Sequence, residues 1–122
     1  MAKPPAELVR VFPTRSDFRT WLEANHQSAS ELWVGYYRKD VGKNAMIYPE
    51  AVEEALCFGW IDGITYRIDD EVYATRMTPR RRGSNWSASN IARVAKLRAA
   101  GCMQPAGLRA FEQWDQRKDL DR

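Results

Sequence analysis

The chain has 122 residues, of which 44% are hydrophobic and 29% are charged, a balance that fits one folded domain and argues against a disordered chain. A formal net charge of +3 is too small to indicate nucleic-acid binding by itself. No segment reads as a secretory signal or a membrane span, so we expect a cytoplasmic protein without membrane insertion.

The first part of the chain predicts a strand, a helix and a second strand. Val9–Phe12 forms the first strand. A helix follows, for which Ser16 is a candidate N-cap, and its apolar face is formed by Phe18, Trp21 and Leu22. The segment Glu31–Lys39 is rich in aromatic and β-branched residues and apolar on both faces, which predicts a central strand covered on each side.

The clearest helix signal lies in the run YPEAVEEALCFGWIDG. Pro49 suits the first turn of a helix, and Gly63 is expected to end it. Its core-facing positions should be Tyr48, Val52, Ala55, Leu56 and Gly59. Two short β-rich runs, ITYRI and VYATRM, then flank Asp69 and Asp70 and predict a hairpin.

Two helices complete the chain. Ser87 can cap the first of them, and Gly101 should end it. Its apolar stripe would be Ile91, Val94 and Leu97 or Arg98. Pro105 should start the last helix, with Leu108, Phe111 and Trp114 on its inner side. The order β-α-β-α-β-β-α-α predicts an α+β fold, with about four helices on a small, mainly antiparallel sheet. We expect one domain over residues 1–122, with flexible ends at 1–7 and 116–122.

A candidate thiol centre comes from the predicted end of the second helix. Glu53, Cys57 and Trp60 have helical spacing and should share a face, with Asp62 at the exit. A nucleophilic thiol needs a lowered pKa, however, and the C-terminal end of a helix opposes that. Cys57 therefore reads more readily as a buried small residue. The chain has two cysteines and one histidine, His26, too few for a structural zinc site, so we predict no metal and no cofactor.

A candidate anion site lies in the segment TPRRRGSNWS. Unpaired backbone N–H groups at a helix start favour an anion, and guanidinium groups bind carboxylate or phosphate through two hydrogen bonds. The residues that would bind the ligand are Trp60, Asp62, Arg80, Arg81, Arg82, Ser84, Trp86 and Ser87. The alternative is that Ser87 only caps the helix and that the arginines are solvated or pair with Asp62, Asp69 or Asp70.

Further basic residues allow a second interpretation. Arg67, Arg76, Arg93, Lys96 and Arg98 would form a stripe for nucleic acid if they lay on one side of the molecule, with aromatic residues stacking on bases. The small net charge and the neighbouring acidic residues make nucleic acid an improbable partner.

Three segments together resemble the YdeI/OmpD-associated family, also called bacteriocin-protection proteins, over roughly Trp33–Phe111. They are EALCFGWIDG, then TPR followed by S-x-W-S, and finally Gly101, Met103, Pro105 and Gly107. The resemblance implies protection against bacteriocins or cationic antimicrobial peptides and an association with an outer-membrane porin. It implies no established reaction.

Three functions stay open at this point. The first is a binding protein for a small anionic or sugar-phosphate-like ligand, in which Trp60 and Trp86 form walls and Asp62 orients an arginine or acts as a base. The second is an interaction module whose basic loop docks an acidic protein or nucleic acid. The third is an enzyme that uses Asp62 or Cys57. The sequence does not indicate an oligomeric state.

Overall fold

The computed structural model describes residues 2–81 and 86–120, with the backbone alone for 116–120. Within these residues the chain forms the predicted order of four strands and four α-helices, which confirms the α+β fold. The elements are β1 (Val9–Val11), α1 (Arg15–Asn25), β2 (Leu32–Tyr37), α2 (Tyr48–Cys57), β3 (Trp60–Arg67), β4 (Val72–Pro79), α3 (Ala88–Ala99) and α4 (Pro105–Leu120). Single 3₁₀ turns precede β1 and follow β2.

The four strands form one sheet in the order β1-β2-β4-β3. β1 runs parallel to β2, and the other two pairs are antiparallel. β3 and β4 form the predicted hairpin, in which the Asp69 carboxylate accepts hydrogen bonds from the backbone N–H groups of Glu71 and Val72. The pairing places Trp60 opposite Pro79 and Asp62 opposite Met77. The end of β4 therefore lies beside the start of β3.

The prediction of a central strand is confirmed for β2, which lies between β1 and β4. Alternate side chains point to opposite faces of a strand. Leu32, Val34 and Tyr36 join the main core beneath the helices, whereas Trp33 belongs to a smaller cluster with Ile68 and Ala74. Both faces of β2 are thus buried, as its continuous apolar sequence predicts.

The N-cap of α1 differs from the prediction. Thr14, not Ser16, caps the helix: its hydroxyl accepts from the Asp17 backbone N–H, and the Asp17 side chain accepts from the Thr14 backbone N–H. This reciprocal arrangement satisfies two donors at once, which a cap at Ser16 would not do here.

The end of α2 was also predicted wrongly. The helix stops at Cys57, and the chain turns at Gly59, which has φ +77°. A Cβ at Gly59 would lie 2.9 Å from the Ala106 carbonyl oxygen of α4, so both backbone conformation and packing require glycine here. Trp60 consequently starts β3, and the predicted helical face of Glu53, Cys57 and Trp60 does not exist.

The last two helices follow the prediction closely. The Ser87 hydroxyl accepts from the Asn90 backbone N–H and caps α3. Gly101 follows α3 in the left-handed conformation, with φ +74°, and α4 starts at Pro105. The helical backbone of α4 continues to Leu120, into the predicted flexible tail; Asp121 and Arg122 lie outside the described residues. None of the described helices is long and apolar enough to span a bilayer.

Candidate anion-binding site

A cavity of about 260 Å³ lies where β3 begins and β4 ends, between the C-terminal end of α1 and the first turns of α4. Its polar lining residues include His26, Arg80 and Arg109. No carboxylate occurs among its described lining residues, which are His26, Gln27, Phe58, Gly59, Trp60, Pro79, Arg80, Ala106, Arg109, Ala110 and Gln113. A lining with two arginines and no acidic residue among those described favours an anionic occupant.

Trp60 contributes a fixed wall of this cavity. Its side chain is 1% exposed, and its indole N–H donates to the His26 carbonyl oxygen at 3.3 Å. The Trp21 ring packs edge-on against it, with ring centroids 5.7 Å apart. The wall is therefore tied to α1 and needs no rearrangement to receive a ligand.

Arg80 is oriented by both its backbone and its side chain. Its backbone N–H donates to the Gly59 carbonyl oxygen at 2.8 Å, and its guanidinium carbon lies 3.8 Å from the Trp86 ring centroid. Trp86 is buried and packs against Phe111 of α4, with ring centroids 5.5 Å apart. This cation–π contact fixes the guanidinium group over an aromatic surface.

Burial lowers the pKa of Arg80 to about 10, although the Asp62 carboxylate opposes this shift. The group stays charged at neutral pH, but its surroundings disfavour the positive charge more than water does. A bound anion would raise the pKa of Arg80 again, because an opposite charge a few ångströms away favours the charged form of the guanidinium group.

Asp62 lies further along β3 and is engaged by Tyr48, whose hydroxyl donates to its carboxylate. Burial and this hydrogen bond together raise the pKa of Tyr48 to about 12. Asp62 thus accepts a hydrogen bond from a neutral phenol and acts electrostatically on Arg80. Both interactions orient neighbouring groups, and Asp62 itself is not among the described cavity-lining residues.

The other predicted ligand-binding residues occupy different positions. Arg81 is exposed and is not among the described lining residues. The hydroxyl of Ser87 is used as the cap of α3. Trp86 lies beneath Arg80 and in the main core, so it supports the guanidinium group and does not form a wall of the cavity.

Arg82 and Ser84 lie outside the described residues. Of the eight predicted residues, the cavity brings Trp60 and Arg80 together.

Sequence reasoning missed His26 and Arg109. The sequence presents His26 as a polar residue at a helix end, and its Nδ1 lies 2.7 Å from the Leu22 carbonyl oxygen within α1. Arg109 reaches the cavity because α4 approaches α2 closely: a Cβ at Gly107 would lie 2.4 Å from the Cys57 carbonyl oxygen. Gly107 is the one feature of the sequence that could have indicated the close approach of α4 to α2.

The predicted basic stripe is divided between ion pairs. Arg67 pairs with Asp70 at 2.6 Å, and Arg76 pairs with Glu31 at 2.8 Å. Lys96 pairs with Glu53 at 3.1 Å. These local pairs reduce the positive field that phosphate backbones would need.

A larger cavity of about 500 Å³ lies among α1, α2 and α3. Ion pairs line it: Arg15 contacts Glu53 at 2.9 Å and Glu54 at 2.6 Å, and Arg19 contacts Glu54 at 3.0 Å. Glu54 is only 5% exposed, so its charge is compensated by protein groups. This network joins the helices, and each carboxylate that lines the cavity is paired with cationic side chains.

The candidate thiol centre has little support as a nucleophile. Cys57 is fully buried, and burial raises the pKa of its thiol to about 11, although Arg19 partly opposes this. Across residues 2–81 and 86–120, no three His, Cys, Asp or Glu side chains gather as a potential metal site.

Comparison with known families gives one match. Residues 10–110 match the model of a domain of unknown function, DUF8412. No curated protein and no solved structure matches the chain.

Proposed function

The chain belongs to the DUF8412 family, and we propose that it is a binding protein for a small anion, which it receives in the cavity lined by His26, Trp60, Arg80 and Arg109. The observation that carries this proposal is the composition of the lining: Arg80, Arg109 and His26 line about 260 Å³, and no acidic residue occurs among the described lining residues. Two arginines beside one cavity favour an anionic occupant, because an opposite charge nearby favours the charged form of a guanidinium group.

The size of the cavity limits the class of ligand. Pockets for drug-sized ligands have about 300–1,000 Å³, and this one is slightly smaller. A phosphate group or a small carboxylate suits it better than a whole nucleotide. Arg109 would supply a fork of donors from α4, Arg80 would add positive charge from the end of β4, and Trp60 would exclude water on one side.

A thermal-shift titration with inorganic phosphate, pyrophosphate and citrate tests the proposal. A ligand at about 100 times its Kd adds about 2.7 kcal/mol of stability, which corresponds to a rise of several degrees in Tm for a domain of this size. We expect at least one of these anions to raise the Tm of the wild type. If none does so at any concentration reached, the proposal fails.

Two arginine variants separate the cavity from the neighbouring loop. Arg109→Ala should weaken anion binding about tenfold or more, since a charge-assisted hydrogen bond contributes about 1.5–3 kcal/mol. Arg81→Ala removes the same charge from an exposed position outside the described lining and should leave Kd nearly unchanged. The reverse pattern would assign binding to the loop instead.

The resemblance to the YdeI/OmpD-associated family adds a prediction about the biological role, namely protection against bacteriocins or cationic antimicrobial peptides in the cytoplasm. Survival of cells challenged with a cationic peptide, with and without expression of the chain, would test this role. Arg109→Ala should abolish any protection if it depends on the anion cavity.

A further inference from the structure

His26 is the one histidine of the chain, and it lies among the residues that line the anion cavity. Histidine ordinarily changes its charge between pH 5 and 8, whereas arginine keeps its charge throughout this range. Of the described lining residues, His26 is therefore the one with a side chain that can follow pH near neutrality.

Both the backbone and the side chain of His26 contact other residues of the cavity wall. Its carbonyl oxygen accepts from the Trp60 indole N–H at 3.3 Å. Its imidazole ring packs against the Phe58 ring, with centroids 5.0 Å apart. Trp60 and Phe58 are themselves lining residues, so a charge on the imidazole ring would lie beside the space that an anion occupies.

The ring contacts determine which nitrogen gains a proton. Nδ1 lies 2.7 Å from the Leu22 carbonyl oxygen, and because a carbonyl oxygen only accepts, Nδ1 carries the hydrogen of the neutral ring. The second proton is therefore gained at Nε2, and the contact with Leu22 is kept in both charge states. His26 is also the C-cap of α1, where the helix dipole favours a positive charge.

Other charges near the cavity wall are mostly engaged. Arg19 lies over the Phe58 ring, 5.2 Å from its centroid, and pairs with two glutamates at 3.7 Å and 3.0 Å. Around His26 and the residues next to it, the charged and titratable groups within the described part of the chain are Arg19, Glu23, Glu54, Cys57, Asp62, Arg80 and Arg109. The cysteine is buried with a raised pKa, and the aspartate accepts from a tyrosine hydroxyl. The two arginines are thus the charged groups that share the described lining with His26.

These arginines couple anion binding to the protonation of His26. They disfavour a third positive charge beside a cavity without a ligand, whereas an anion held there favours it. By linkage, the proton and the anion strengthen each other's binding by the same factor.

We propose that His26 makes the cavity pH-sensitive, so that the anion binds more tightly as the pH falls from 8 to 5.5. This inference rests on the proposed anion binding and adds its regulation. We expect a coupling of about tenfold, which lies within the range typical of two linked binding events.

NMR of the imidazole ring tests the coupling directly, and the single histidine makes the assignment unambiguous. The titration of His26 is followed in the wild type without added ligand and with saturating inorganic phosphate, pyrophosphate, citrate or sulfate. Sodium chloride at the same ionic strength serves as the control. We expect each anion that binds to raise the titration midpoint by about one pH unit, which corresponds to the tenfold coupling. An unchanged or lowered midpoint in the presence of a bound anion overturns the proposal.

Calorimetric titrations at pH 5.5 and pH 8 measure the same coupling from the side of the anion. Sulfate keeps its charge between these pH values, so a change in its Kd reports on the protein. For the other three anions, comparison with the His26→Gln variant removes the titration of the ligand itself. We expect the wild type to bind about tenfold more tightly at pH 5.5 than at pH 8 once the ligand's own titration is removed, and His26→Gln to lose this dependence.

The outcomes separate this inference from the anion site on which it rests. Saturable binding with the same pH dependence in the wild type and in His26→Gln would overturn the role of His26 and leave the anion site in place. If none of the four anions binds the wild type at either pH, the pH-sensitive site and the anion site fail together.

Discussion

Arg80 shows how single residues decide the character of the candidate site. β3 pairs with β4 so that Trp60 lies opposite Pro79. Arg80 follows Pro79 directly and therefore lies at the same end of the hairpin as Trp60. Its guanidinium group lies on Trp86 and is partly buried, so its pKa falls to about 10. The sequence contains three consecutive arginines, but only the tertiary structure distinguishes Arg80 from the exposed Arg81.

Cys57 and Cys102 should differ sharply in reactivity. Cys57 is fully buried with a raised pKa, whereas Cys102 is partly exposed, and alkylation requires an accessible thiolate. Iodoacetamide at pH 8 should therefore add one group to the native protein, at Cys102, and two groups to the unfolded protein, as read by intact mass. The Cys102→Ser variant should stay unmodified while native. Rapid modification of Cys57 in that variant would restore the case for a thiol nucleophile.

At the scale of elements, a very close contact joins α4 to the end of α2. A Cβ at Gly107 would lie 2.4 Å and 2.6 Å from the carbonyl oxygens of Cys57 and Leu56, so the two backbones must separate if alanine is introduced. Gly107→Ala should lower the free energy of unfolding by about 1–3 kcal/mol or more, measured by urea denaturation. It should also weaken anion binding, because α4 carries Arg109.

Gly42→Ala is the matched control for this prediction. Gly42 has φ +74°, and a Cβ added there would meet no atom within 4 Å. Alanine at this position therefore incurs only the backbone cost of the left-handed conformation, about 1–2 kcal/mol. Anion affinity should not change in this variant. A loss of anion affinity in Gly42→Ala as large as that in Gly107→Ala would contradict the role of the α2–α4 contact.

Local patterns predicted the elements well and their junctions less well. Ser87 could be identified as a cap because N-cap chemistry operates within three residues. The end of α2 was misplaced because Gly59 and Gly63 are equally able to stop a helix, and packing against Ala106 of α4 selects Gly59. The predicted hairpin makes it possible to expect that Trp60 and Arg80 lie close together. His26 and Arg109 could not be expected at the cavity, because they reach it from helices that are distant in sequence.

At the scale of the whole molecule, ion pairs join the helices on one side of the sheet. Glu53 of α2 accepts from Arg15 of α1 at 2.9 Å and from Lys96 of α3 at 3.1 Å. Partial burial acts to raise the pKa of Glu53, but these two hydrogen bonds outweigh it and lower the pKa. The charged form of Glu53 therefore stabilises the folded state above its unfolded pKa, and this contribution is lost as pH falls through the folded pKa.

Glu53→Gln should accordingly cost about 1 kcal/mol at pH 7, because two charge-assisted hydrogen bonds become neutral ones. The difference from wild type should shrink as the pH falls through the lowered pKa of folded Glu53, because the wild-type carboxylate then becomes protonated. Urea denaturation at a series of pH values measures it. Glu23→Gln, which affects an exposed pair with Arg19 at 3.7 Å, should change stability by a few tenths of a kcal/mol. A pH-independent loss in Glu53→Gln would contradict the assigned role of the charge.

The most direct test of anion binding is an NMR titration that observes the arginine Nε–Hε groups while inorganic phosphate is added. We expect the Arg80 and Arg109 resonances to shift together and saturate with one Kd, while Arg81 stays in place. Saturable movement of Arg81 without Arg80 and Arg109, or no saturable movement of any arginine, would contradict anion binding in the cavity.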